Sequence, residues 1–118
     1  MQRWNTLHPE ADPKLSYVEQ CLADRPGPVV AATDYMKTFA DQVRAFLPTR
    51  NFLTLGTDGF GRSDTRQQLR KFFEVDRHYV AVAAMKALAD QEAVPRKKVT
   101  EAISKYGIDP EKPNPTTV

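Results

Sequence analysis

Two short apolar runs stand out along the chain, PVVAAT at residues 28–33 and FLTLGT at residues 52–57. A continuous apolar run of this length is typical of a parallel strand that is covered on both faces. The segment between the runs has helical periodicity, so the pattern predicts a βαβ unit with a parallel strand pair and a right-handed crossover. The predicted fold class is therefore α/β.

Apolar residues that recur at helical spacing predict four or five helices around these strands. The first helix lies near residues 15–22, before the first strand. The second lies between the strands, with Thr33 or Asp34 as its cap. We expect the apolar stripe of this second helix to face the core. The residues of the stripe are Met36, Phe39, Val43, Phe46 and Leu47.

Further helices are predicted after the second strand. Ser63 or Asp64 is the predicted cap of the first of them, and Asp76 is the predicted cap of the next. Pro95 suits the first position of the last helix, and Gly107 suits a left-handed stop at its end.

The two ends of the chain show no apolar period, whereas the middle does. We therefore expect an extended lead-in over residues 1–14, a folded part over residues 15–108 and an extended arm over residues 109–118. Two covered strands are too few for a stable sheet, which normally needs three or more, and both edges stay open to pairing. We therefore expect the sheet of this chain to be incomplete.

Composition narrows the class of protein. Of the 118 residues, 41% are hydrophobic and 27% are charged, which is typical of a soluble domain. Lys and Arg number 17 against 15 Asp and Glu, so the net charge is only +2 and neither a nucleic-acid nor a membrane partner is expected. No apolar run approaches the roughly 20 residues of a membrane-spanning helix. The single Cys21 excludes an intrachain disulfide and favours a reducing, cytoplasmic location.

A glycine-rich turn at residues 56–61, GTDGFG, joins the second strand to the next helix. Its G-x-x-G-x-G spacing is neither the dinucleotide-binding pattern nor a P-loop. A helix N-terminus after a strand suits an anion, and Arg62 and Arg66 would add positive charge. The favoured interpretation is a tight corner, in which we expect Gly59 or Gly61 to adopt a positive φ that other residues avoid.

Three other groups are candidates for chemistry, and each has a plainer explanation. Asp34 and Asp58 follow the carboxyl ends of the two strands, where ligands collect, yet both also suit caps and turns. A basic group suits either an acidic partner or a solvated face with ion pairs. Its members are Arg62, Arg66, Arg70, Lys71, Arg77 and His78. His8, His78 and Cys21 are too isolated along the sequence for metal-ligand spacing.

A resemblance to a known family covers nearly the whole chain. It lies above all in LGTDGFGRSDTRQQLRKFFEVDRHYVAVAAMKALA at residues 55–89. This stretch resembles the C-terminal domain of the transketolase-type thiamine diphosphate enzymes, and more narrowly that of the homodimeric bacterial pyruvate dehydrogenase components. RWNTLHPE at residues 3–10 and ATDYMKTFADQVR at residues 32–44 are similar to the same subfamily. The most specific part is the turn formed by Asp58, Gly59, Phe60, Gly61, Arg62, Ser63 and Asp64.

The resemblance implies both a fold and a parent enzyme. The fold would be an incomplete three-layer α/β/α sandwich of the transketolase C-terminal type, with further strands supplied by residues that precede Met1. The parent would be a cytoplasmic homodimer that decarboxylates pyruvate on thiamine diphosphate with Mg²⁺. It would then acetylate the lipoyl group of the next component, which leads from glycolysis to acetyl-CoA synthesis.

The same resemblance implies a structural role for this chain. Other domains of the parent hold the cofactor and the metal, so no catalytic, cofactor-binding or metal-binding residue is expected here. The partners would be the upstream domains, the homodimer mate and the lipoyl-bearing acetyltransferase component, with residues 58–64 as a corner and contact surface. The alternative is a stand-alone module that binds an anionic ligand or an acidic partner through that turn.

Overall fold

A parallel pair of strands lies at the centre of the fold. The computed structural model describes residues 1–59 and 61–117. Within them, β1 (Val29–Ala32) and β2 (Phe52–Leu55) form one two-stranded sheet, in the register that pairs the first residue of each strand. The α/β fold class and both predicted strands are confirmed. Each strand is two residues shorter than its apolar run.

Helices precede, separate and follow the two strands along the described parts of the chain. Their bounds are α1 Gln2–Leu7, α2 Tyr17–Leu22, α3 Lys37–Asp41, α4 Arg66–Phe72, α5 Arg77–Asp90 and α6 Arg96–Lys105. Of these, α3 and α5 make the main contacts with the sheet. Two 3₁₀ helices are η1 Arg44–Phe46 and η2 Pro115–Thr117. None of the helices in these residues is long and apolar enough to cross a lipid bilayer.

The extended lead-in predicted for residues 1–14 is wrong where α1 forms. The rings of Trp4 and His8 stack at 4.4 Å, and His8 Nδ1 lies 2.8 Å from the Trp4 carbonyl oxygen. Lys14 Nζ lies 4.1 Å from the centre of the Trp4 ring, and Asn5 exchanges two hydrogen bonds with the Lys14 backbone. The Trp4–His8 pair, one helical turn apart, and the more distant contacts from Lys14 therefore stabilise a segment that has no apolar period.

The predicted start of α5 and end of α6 are confirmed. The Asp76 carboxylate accepts hydrogen bonds from the backbone amides of His78 and Tyr79, so Asp76 caps α5. Gly107, at φ +65°, ends α6 in the left-handed conformation. Pro95 lies one position earlier than predicted, as the cap of α6 rather than its first residue.

Helix α2 begins with a reciprocal capping box. Ser16 Oγ accepts from the Glu19 amide at 3.3 Å, and Glu19 Oε2 accepts from the Ser16 amide at 2.6 Å. The hydrogen bond from the Ser16 backbone, followed by that from its hydroxyl, lowers the pKa of Glu19 below its ordinary value of 4.5.

The cap of α3 is Met36, so the prediction of Thr33 or Asp34 is wrong. Thr33 Oγ1 instead accepts a hydrogen bond from the Tyr35 amide at 3.0 Å, which closes a turn before the helix begins. Met36 has no side-chain oxygen to accept from the free amides of the first helical turn. An acceptor must therefore come from another part of the chain.

The helix between the strands also ends earlier than its apolar stripe predicts. Arg44 donates to the Phe52 carbonyl oxygen at 3.1 Å, and its guanidinium lies 4.7 Å from the centre of the Phe52 ring. It also pairs with Asp41, the last residue of α3, at 2.7 Å. These contacts hold Arg44 against β2, and the chain continues there as η1 rather than as an α-helix.

The core is formed where α5 contacts both strands and α6. Most of its residues are small, which allows the helix backbones to approach closely. The buried apolar residues are Phe52, Phe73, Ala83, Ala87, Ala89, Val99 and Ala102. No described side chain of large volume is completely shielded from solvent. The core is therefore thin for a chain of this length.

The expectation that each strand is covered on both faces is wrong for these residues. Along β2, Phe52 and Thr54 are buried, whereas Leu53, on the opposite face, is 41% exposed.

The radius of gyration is 17.5 Å, whereas a compact domain of this length has roughly 13.5 Å. The chain is thus more open than an independent globular domain.

Candidate functional site

The glycine turn is in backbone contact with the segment that enters α3. A Cβ atom built on Gly56 would lie 2.8 Å from both the Lys37 nitrogen and the Tyr35 carbonyl oxygen, which is too close for any side chain. The Thr57 amide donates to that same Tyr35 oxygen at 2.8 Å. Only glycine fits at this position, and its small size lets the two segments hydrogen-bond.

Asp58 supplies the acceptor that α3 lacks in its own sequence. Its Oδ1 accepts a hydrogen bond at 3.0 Å from the amide of Lys37, the first residue of the helix. Free amides at a helix N-terminus need such a partner, and a carboxylate there also interacts favourably with the helix dipole. The contacts of Gly56, Thr57 and Asp58 with residues 35–37 are called the turn–helix contact below.

The two aspartates that were candidates for an acid–base pair have separate partners. Asp58 is engaged by the Lys37 amide, whereas Asp34 Oδ2 lies 3.4 Å from Arg70 Nη2 in an exposed ion pair. Asp58 is a cap, as the plainer explanation has it, whereas Asp34 forms a surface ion pair instead of the cap or turn that was expected. The arrangement therefore lends no support to an acid–base pair.

Gly59 requires the backbone freedom of glycine. Its φ is +98°, and a Cβ atom there would lie 3.4 Å from the Pro115 carbonyl oxygen. The prediction of a positive φ at Gly59 or Gly61 is confirmed at Gly59. Gly61 has no such φ, and a Cβ there would meet open space. Phe60, between them, lies outside the described residues.

The rest of the turn serves the start of α4. Asp64 Oδ1 accepts from the Thr65 amide at 2.7 Å, and Thr65 Oγ1 accepts from the Gln68 amide at 3.3 Å. The cap of α4 is therefore Thr65, and the prediction of Ser63 or Asp64 is wrong by one or two residues. Asp64 is occupied by the neighbouring amide, so the helix begins one residue later. Arg62 places its guanidinium 5.1 Å from the Phe72 ring centre, and Ser63 is exposed.

The C-terminal arm is anchored rather than extended. Lys112 Nζ donates to the Phe72 carbonyl oxygen at 2.9 Å and lies 3.3 Å from Glu74 Oε1. Farther on, η2 brings Pro115 over Gly59. The prediction of an extended arm over residues 109–118 is therefore wrong for its described residues, 109–117, because these contacts fold the arm back on α4 and the turn.

A cleft of about 460 Å³ lies beside the carboxyl ends of both strands, where α/β sheets usually hold ligands. Its polar walls consist of Asp34, Thr57, Gly61, Arg62, Asp64, Arg66 and Arg70, and its apolar floor of Leu69, Phe73 and Val75. An anion that entered it would meet two carboxylates as well as three guanidinium groups. Arg70 is also engaged by Asp34. The mixed charge disfavours a dedicated anion site.

Two other members of the basic group, Arg77 and His78, lie at the start of α5 and do not line this cleft. Arg77 Nε donates to His78 Nε2 at 3.1 Å, and the His78 ring packs 4.7 Å from the ring of Tyr106. His78 is thus part of the packing between α5 and the end of α6. Across the described residues, no group of three His, Cys, Asp or Glu side chains is arranged to hold a metal ion.

The exposed side of α3 is the site that the sequence pattern misassigned. Tyr35 is 69% exposed, Met36 61%, Phe39 65% and Val43 38%, and the Tyr35 and Phe39 rings stack at 5.4 Å. The prediction that this stripe faces the core is wrong for Met36, Phe39 and Val43. We refer to these four residues as the α3 face. Helical spacing identifies a face that needs cover, but it does not identify what covers it.

The fold and the turn together define a class of domain. The family model described as "Transketolase-like TK C-terminal domain" matches residues 1–76 of the chain. The chain belongs to the transketolase C-terminal domain family, as its resemblance implies.

Similar curated proteins carry the printed name "Pyruvate dehydrogenase E1 component". The relative from Pseudomonas aeruginosa is 61% identical over 115 residues, 98% of this chain. Those from Cupriavidus necator and Escherichia coli K12 are 57% identical over 118 residues and 51% identical over 114 residues, 100% and 97% of this chain. Each alignment covers 13% of the relative. The chain thus spans about an eighth of the length of these relatives.

Proposed function

We propose that this chain is the C-terminal structural and interface portion of a thiamine diphosphate-dependent pyruvate dehydrogenase component. The parent enzyme would decarboxylate pyruvate oxidatively and transfer the acetyl group to a lipoyl-bearing acetyltransferase, in the cytoplasm and as a homodimer. The role of these residues would be to complete the fold of the parent and to contact its upstream domains and its mate.

The observation that carries this proposal is the incomplete burial of the apolar residues. A two-stranded sheet, a thin core and several exposed large apolar side chains leave surface that an independent domain of this size would bury. Each such side chain forfeits roughly 1.5–3 kcal/mol of burial energy while it stays in water. The rest of a longer polypeptide would bury this apolar surface, because the named relatives extend far beyond the matched part.

The residues of this chain do not fit the parent's cofactor. A Mg²⁺-bound diphosphate needs a set of converging oxygen ligands, and the described residues bring no such set together. Asp58, the most suitable carboxylate of the turn, is used as the cap of α3. We therefore assign no step of pyruvate chemistry to these residues.

The test compares three proteins under one assay. The proteins are the full-length polypeptide that contains this chain, the same polypeptide without residues 1–118, and the isolated chain. With thiamine diphosphate and Mg²⁺, we expect pyruvate-dependent CO₂ release from the first alone. Turnover by the isolated chain, or undiminished turnover after its removal, would overturn the proposal.

A further inference from the structure

The α3 face consists of Phe39, which lies within α3, and of Tyr35, Met36 and Val43, which flank this helix. Phe39 is three residues from Met36 and four from Val43, a spacing that places side chains on one side of a helical turn, and the Tyr35 ring stacks on that of Phe39. Four side chains of these sizes and exposures present on the order of 500 Å² of surface. Patches of this extent on soluble proteins mark interaction sites.

The face is held in position by the turn–helix contact. Gly56 admits the backbone of residues 35–37, and Asp58 caps the first turn of the helix that carries Phe39. Preorganised surfaces lose less conformational entropy on association than mobile ones. The turn–helix contact thus fixes the orientation of an exposed apolar face.

Size and charge decide which occupant fits. The four side chains carry no charge, so a strongly charged partner gains nothing from them. A stable dimer interface buries roughly 800 Å² on each partner, which is more than this face offers. A contact between domains of one polypeptide buries roughly 600–1,500 Å² in total, and two surfaces of the size of the α3 face provide that area.

We propose that the α3 face docks on an apolar surface in the remaining part of the same polypeptide. This inference rests on the proposed function, since it requires the longer parent whose relatives extend well beyond the 13% matched here. It names one face, and the turn–helix contact behind it, as the place where the domain joins the rest of the enzyme.

A photo-crosslink identifies the occupant directly. A benzophenone amino acid replaces Phe39 in the full-length protein, and the same group replaces Thr38, an exposed residue on the same helix, as the control. After irradiation and protease digestion, we expect peptides joined to residues outside this chain, within a product of one-chain mass, from position 39 only. A product of two-chain mass would show that the mate covers the face, and no crosslink would show that it is free. Either result overturns the proposal.

A charge substitution provides an independent measurement. In the full-length protein, Phe39→Asp should accelerate proteolytic release of the C-terminal domain at least tenfold, whereas Thr38→Asp should leave the rate unchanged. Equal rates in the two variants would contradict the docking. Pyruvate turnover is assayed separately: intact docking in a protein without thiamine diphosphate-dependent activity would overturn only the proposed function.

Discussion

Replacing Gly56 with alanine tests whether the glycine turn exists to join β2 to α3. The new methyl group would lie 2.8 Å from two backbone atoms, those of Lys37 and Tyr35, and neither can rotate away as a side chain would. The clash can be relieved only by separating the segments. That movement breaks the hydrogen bond from Thr57 to Tyr35 and the one from Lys37 to Asp58.

The magnitude follows from the two routes open to the variant. Overpacking at a rigid site costs roughly 1–3 kcal/mol. Losing a neutral hydrogen bond costs about 0.5–1.5 kcal/mol, and losing one to a charged group costs about 1.5–3 kcal/mol. The routes are alternatives, and the variant takes the one of lower cost, so we expect the turn–helix contact to be weakened by about 1–3 kcal/mol.

Hydrogen exchange in the full-length protein measures this local change. It does not require that the whole protein unfold in a two-state transition. The amides of Lys37 and Thr57 should exchange roughly 5- to 140-fold faster, since each 1.4 kcal/mol is a factor of ten. Gly61→Ala is the matched control, because a Cβ there meets nothing within 4 Å. Unchanged exchange in Gly56→Ala, or an equal effect in Gly61→Ala, would refute the reasoning.

Three further predictions concern the turn and two titrating groups. Gly59→Val should destabilise the protein by roughly 1–3 kcal/mol in thermal unfolding, because a φ of +98° strains a β-branched residue; no change would contradict it. The lowered pKa of Glu19 adds stability above its ordinary value of 4.5 that is lost as pH falls through the folded-state pKa, so Glu19→Gln, which removes the titrating group, should flatten the acid limb of α2 protection measured by hydrogen exchange. Burial, followed by nearby carboxylates, raises the pKa of Tyr79, so stability present below pH 10.0 is lost as pH rises above it; Tyr79→Phe should abolish that alkaline loss. An unaltered pH profile in either variant would contradict the corresponding assignment.

Local signals in the sequence were sufficient for much of the fold. The two apolar runs predict β1 and β2, and their spacing predicts the parallel pair that the structure contains. Asp76 and Gly107 are reliable as cap and stop, because each acts on backbone groups within a few residues of itself. These features depend on interactions between residues that are close in sequence, so the sequence alone predicts them.

Features that depend on distant residues could not be predicted in the same way. The partner of the Lys37 amide is Asp58, 21 residues away, and nothing in the sequence of α3 indicates it. The exclusive fit of Gly56 depends on the approach of another backbone segment. At the start of α4, three consecutive residues are all good caps, and only the hydrogen bond of Asp64 to the next amide selects Thr65.

The glycine turn and the residues up to Asp64, which the sequence offers as a candidate anion site, are accounted for by contacts within the fold. The carboxylate of Asp58 caps α3, the positive φ of Gly59 admits the Pro115 carbonyl, and the carboxylate of Asp64 accepts an amide at the start of α4. A phosphate-binding loop would instead present backbone amides to an empty space, and here the strongest acceptors of the turn take up amides of the protein itself. Under the docking proposed above, substitutions in this turn should first loosen the contact made by the α3 face, and impair the turnover of the proposed parent only as a consequence.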